Sequence, residues 1–125
     1  MSNTSEEQLY QFLKALKENL DASTIAYQKY QSNGRKYQFA LEIRKLNDHS
    51  HELLKKYAQL LPKNLQADAA ELGYHYKVWT EKFDNLVEQI PPSPDKEFVF
   101  ANAFSFPKEA ANRLEAAYAE LESNK

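Results

Sequence analysis

The chain contains no cysteine, only two glycines and a single tryptophan. Without cysteine there are no disulfides, no thiol nucleophiles and no thiolate metal ligands. Two glycines leave few places for a phosphate-cradling loop: Gly34 follows Ser32-Asn33 in a turn-like stretch, and Gly73 lies inside a periodic run. No uninterrupted apolar stretch is long enough to span a membrane. A basic excess is missing too, since 16 Lys and Arg stand against 18 Asp and Glu, for a formal net charge of -2. Arg35, Lys36 and Arg44 are offset by Glu42 and Asp48, so a nucleic-acid footprint is not expected. The N-terminus is acidic where a secretory leader needs a basic start, and its apolar residues are spaced rather than continuous. The expectation is a cytoplasmic protein that does not insert into membranes.

What the chain does have is hydrophobic periodicity and many aromatics, with 8 Tyr and 7 Phe. Residues 64–90 carry Leu65, Ala69, Leu72, Tyr76, Trp79, Phe83, Leu86 and Ile90 in alternating steps of four and three. That spacing keeps one apolar seam on one side of a helix and is the heptad period of coiled coils. A helix of that length is a rod of roughly 40 Å that needs long partners. Residues 5–31 supply one, with Leu9, Leu13, Leu16, Leu20, Ser23, Tyr27 and Tyr30 in the seam, and residues 35–61 supply another, with Phe39, Ile43, Leu46, Ser50, Leu53, Tyr57 and Leu60. Thr4 and Glu7 fit a capping box, Gly34 suits a left-handed helix end, and Pro62 and Pro91-Pro92 are stops.

The short connection around Pro62 forces the second and third helices to fold back antiparallel. Flanking residues whose numbers sum to about 124 are then expected to face one another: Glu42 with Lys82, Lys56 with Asp68, His49 with His75. Trp79, central in the longest run, is expected to be a core anchor. After Ile90 the period breaks, and residues 91–106 read as an extended connection containing Phe98, Phe100, Phe104 and Phe106. A lone strand would lack a ladder partner, so these rings are expected to dock between helices or to meet another protein. Residues 107–122 then form a shorter helix whose face includes Ala110, Ala111, Leu114, Ala117, Tyr118 and Leu121. The chain is thus expected to be a single all-α domain, an antiparallel bundle of three long helices plus a shorter C-terminal one.

Three histidines are the only groups suited to chemistry near neutral pH. His49, His75, Glu71, Asp48 and His51 are the candidates for a metal-binding or pH-sensitive group, with Glu71 one helical step from His75 and Asp48 one from His51. The paired Glu-x-x-His motifs of a diiron bundle are absent. A phosphotransfer histidine at His51 would want lysine at position 54, which is Leu54. No convincing nucleophile–histidine–acid relay is visible, so neither a catalytic residue nor a cofactor is expected. The functional expectation is a non-catalytic protein-binding adaptor, chaperone-like subunit or regulator, with another protein or a second copy of itself as partner. Its contact residues would be Phe98, Phe100, Phe104, Phe106, Leu114 and Tyr118. A metal-binding or histidine-dependent bundle is the alternative.

Overall fold

The computed structural model describes residues 4–99 and 106–125; Phe100 and Phe104 lie outside them. The described residues form an all-α bundle of α1 (Thr4–Ser32), α2 (Tyr37–Tyr57), α3 (Lys63–Gln89) and the shorter α4 (Lys108–Ser123). Helix α1 packs on α2 and α4, and α3 packs on the same two, so α1 and α3 are diagonal to one another. Lys125 reaches Glu7 at 3.3 Å and Arg113 reaches Asp68 at 2.8 Å, which sets α4 antiparallel to both α1 and α3. Direction therefore alternates from each helix to the next, as the short α1–α2 and α2–α3 connections require.

The helix ends differ from the sequence reading in ways that have local causes. Helix α1 begins at Thr4 itself. The Glu7 carboxylate accepts from the Gln11 amide at 2.9 Å and from Lys125. Gly34 takes the left-handed conformation with φ 76°, as expected of it, and Arg35 follows with φ 54°. Two consecutive left-handed residues reverse the chain and delay α2 to Tyr37. At its other end α2 tightens into a 3-10 turn, Ala58–Leu60, and Leu61 before Pro62 is extended.

Two apolar clusters fill the bundle. One holds Phe12, Leu13, Leu16, Leu54, Leu72 and Leu114, where all four helices meet. The other holds Ala26, Tyr30, Ile43, Phe83 and Phe98, where α4 is absent and the 91–99 segment takes part. Near their junction lies a polar layer. Asn19 Nδ2 donates to Ser50 Oγ and to the Leu46 carbonyl, both at 2.6 Å. Ser50 also hydrogen-bonds the Tyr76 hydroxyl, which burial pushes up to about 12. Satisfied on all sides, this layer ties α1, α2 and α3 to one register.

The antiparallel α2–α3 hairpin forms, but Asp68 does not pair with Lys56 as a sum of 124 suggests. Arg44 makes a two-pronged pair with Asp84, both bonds at 2.9 Å. Asp68 is buried and accepts from Arg113 of α4, not from Lys56, whose ammonium lies 5.4 Å from the Tyr57 ring centre. A carboxylate buried against a third helix finds its cation there, and pair matching within a hairpin cannot see that helix.

The connection after α3 is a backbone strap. Helix α2 has no side-chain cap. Its first amides donate to the strap instead: Tyr37 N–H to the Lys96 carbonyl at 2.8 Å and Gln38 N–H to the Pro94 carbonyl at 2.9 Å. Phe98 N–H returns a bond to the Arg35 carbonyl at 2.8 Å, and Lys36 with Glu97 forms a single antiparallel bridge. Unpaired amides at a helix start must find acceptors, and here extended chain provides them.

Candidate functional site: an open groove beyond the fourth helix

Helix α1 has 29 residues and α4 has 16, so α4 covers only the N-terminal part of α1. Beside and beyond the first turns of α4, whose Ala111, Asn112 and Glu115 also line it, lies a groove of about 820 Å³. Its walls are α1, with Ser23, Thr24 and Tyr27, and α3, with His75, Tyr76 and Trp79. Ala40, Ile43 and Asn47 of α2 form its floor, and Val99 and Phe106 stand at the opening. Three of these lining groups leave much apolar surface in solvent: Tyr27 is 50%, Val99 52% and Phe106 42% exposed. The volume suits a ligand or a few inserted side chains, and the lining is apolar with a few polar atoms.

Trp79 belongs to this wall. It is only partly buried and stacks on Phe83 with ring centres 5.2 Å apart, while Phe83, at 1% exposure, is the anchor of that half. The seam assignment holds.

Two buried polar atoms in the groove lack hydrogen-bond partners: Ser23 Oγ on α1 and His75 Nδ1 on α3. The neighbouring Thr24 hydroxyl bonds back to the Leu20 carbonyl at 3.2 Å; Ser23 makes no such bond. His75 is 9% exposed, and its ring meets Phe106 edge-on at 5.4 Å and Tyr76 at 5.5 Å. Burial holds its pKa below the usual histidine value, which keeps the imidazole neutral. An unsatisfied buried polar atom typically costs about 1–3 kcal/mol.

The other residues singled out from the sequence are dispersed. His49 is exposed on α2 and does not share the surroundings of His75, which packs on Phe106. Asp48 lies 3.9 Å from Arg44, and Glu71 is exposed. His51 sits in a shallow cleft against Gly73, its pKa lowered first by burial and then by Lys55. Among the described residues no three His, Asp or Glu side chains converge to hold a metal ion. Leu114, read from the sequence as a contact residue, is 1% exposed and belongs to the core, where all four helices close over it. Tyr118 is partly buried, stacked on Tyr10 at 5.8 Å and bonded to Glu122 at 3.1 Å. Phe98 is 5% exposed, its ring 4.9 Å from Phe83 and its carbonyl accepting from the Tyr30 hydroxyl, so it is a staple and not a surface contact. Phe106 alone of the described contact candidates stands at the groove.

Sequence reasoning passed over Asn47 and treated Ser23 as neutral packing. The available signal was a serine at a seam position between Leu20 and Tyr27, with Gly73, Tyr76 and Trp79 on the opposing helix. Compared with protein-family models, curated protein sequences and solved structures, the chain matches none. No helix among the described residues is long and apolar enough to cross a membrane.

Proposed function

We propose that this is a non-catalytic binding protein, an adaptor, chaperone-like subunit or regulator, whose open half receives an amphipathic helix from a partner protein. One observation carries the reading: the groove continues the track of α4 between α1 and α3, in line with the interface that α4 already makes with both. A helix of two to three turns laid there would cover the exposed Tyr27 and Phe106 and complete the four-helix cross-section. Aromatic residues at a groove mouth are the side chains that most often concentrate binding energy. Val99 and Phe106 line the opening of this groove and are exposed, which supports the reading.

The test is selection of a displayed library of amphipathic helical peptides against the folded protein. The expected result is a set of binders whose affinity falls at least tenfold for Phe106→Ala and Tyr27→Ala, with the unfolding midpoint of each variant near that of the parent. Failure to enrich any helix, or binders indifferent to both substitutions, would overturn the reading. So would concentration-dependent self-association lost in the same variants, because the occupant would then be a second copy of the chain.

A further inference from the structure

Helix α4 is held in place differently from the other three. Its buried residues are Ala110, Ala111 and Leu114, so a single leucine is the large side chain that it covers fully. Alanines hide little area, and Ala117, Tyr118 and Leu121 are only partly buried beside them. Helix α3, by contrast, buries Leu72, Tyr76 and Phe83. A free helix of sixteen residues is marginal in water, so α4 depends on its docking.

The bonds that unite α1, α2 and α3 are made without it. Among the described residues these are the Asn19–Ser50–Tyr76 layer, the cluster around Ile43, Phe83 and Phe98, and the strap on the Tyr37 and Gln38 amides. A satisfied buried network of that kind fixes the register of three helices by itself.

Side-chain latches fasten α4 near its two ends. Near its start, Arg113 Nε and Nη2 donate to the Asp68 carboxylate of α3 at 2.8 to 3.0 Å. At its end, the Glu122 carboxylate accepts from the Tyr10 hydroxyl of α1 and, at 3.1 Å, from Tyr118 of its own helix. Lys125 lies 3.9 Å from the Tyr10 ring centre and 3.3 Å from Glu7. Arg113, Glu122 and Lys125 stand in solvent, where water competes for each bond and weakens it. Ahead of the helix is Pro107, which has no backbone N–H to tie it down.

We infer that α4 is a releasable helix: from Pro107 onward it leaves its trough while α1, α2, α3 and the strap stay folded, and the Arg113–Asp68 and Tyr10–Glu122 latches set how often it does so. The docked form dominates. Release uncovers Leu16 and Leu72 and strips the buried Asp68 carboxylate of its guanidinium, so the open form is a minor, high-energy state that re-docking repairs. The inference stands on the closed half of the bundle and is independent of the groove and of the helix-binding reading.

The test is native-state hydrogen exchange on the full chain, read at the Leu114 and Ala117 amides of α4 and at the Leu54 and Leu72 amides of α2 and α3. The α4 amides should exchange at least about tenfold faster than the other two. Ile43→Val loosens packing in the half that α4 does not reach. It should speed Leu54 and Leu72 by about fivefold and leave α4 unchanged, because α4 opens before that packing is lost. Glu122→Gln keeps the shape of an exposed side chain and removes its charge, and Asp68→Asn does the same at the other latch. Each should speed α4 exchange by about threefold or more.

Amides of α4 that exchange at the rate of Leu54 and Leu72, or that quicken with Ile43→Val by the same factor, overturn the inference, since α4 is then lost only when the whole chain unfolds. Exchange in α4 that neither Glu122→Gln nor Asp68→Asn alters overturns it as well, because the latches would not control the opening.

Discussion

The two halves of this bundle are built from the same helices and yet solve burial differently. In the half that holds the α1 N-terminus, four helices close over Leu16, Leu72 and Leu114, each at 1% exposure or less. In the other half, among the described residues, three helices remain beside an extended strap and a groove of about 820 Å³. The closed half satisfies its polar groups internally, through Asn19 with Ser50 and Arg113 with Asp68. The open half leaves Ser23 and His75 without partners.

That contrast can be broken most directly in the closed half. Leu16→Ala should cost about 3–5 kcal/mol in chemical denaturation, since a well-packed site relaxes little around the cavity. A loss below about 1 kcal/mol would mean the four-helix end is loose. The strap supplies the next effect: Phe98→Ala should cost about 2–4 kcal/mol and speed hydrogen exchange at the Tyr37 and Gln38 amides, which the strap carbonyls hold. If exchange at both amides is unchanged, the strap does not depend on its phenylalanine.

Trp79→Ala sharpens the comparison, because a groove wall has less to lose than a core. It should cost about 1–2 kcal/mol, less than Leu16→Ala although more atoms are removed. A cost equal to or greater than that of Leu16→Ala would place Trp79 in a closed core. For His75 the sign follows from its lowered folded-state pKa: the unfolded chain takes up the proton first as pH falls. Its contribution is intact above the unfolded value near 6.5 and is lost on acidification through that value toward the lower folded one. His75→Phe should therefore flatten the fall in stability between pH 7.5 and 5, and an unaltered slope would show that the ring is not buried as described. The smallest effect belongs to Lys56→Ala, which should change stability by under about 0.5 kcal/mol, since Asp68 is held by Arg113. A larger loss would restore the hairpin pair suggested by residue numbering.

Helix number, order and approximate ends were legible in the chain because hydrophobic period, proline stops and a left-handed Gly34 are local properties. The length mismatch was legible too: residues 5–31 and 107–122 cannot face one another along their whole length. Phe106 and His75 could be named from sequence, His75 for a histidine pair that does not form. Only the tertiary structure decided which partners each residue meets. Asp68 turned to α4 and Phe98 became a staple, while the amides of α2 were capped by the strap. Period reports which face of a helix is apolar, whereas burial and hydrogen bonding depend on which other segment reaches that face. Among the described residues Ser23 Oγ and His75 Nδ1 are covered without a hydrogen-bond partner, and an unmet hydrogen bond leaves no mark in the sequence.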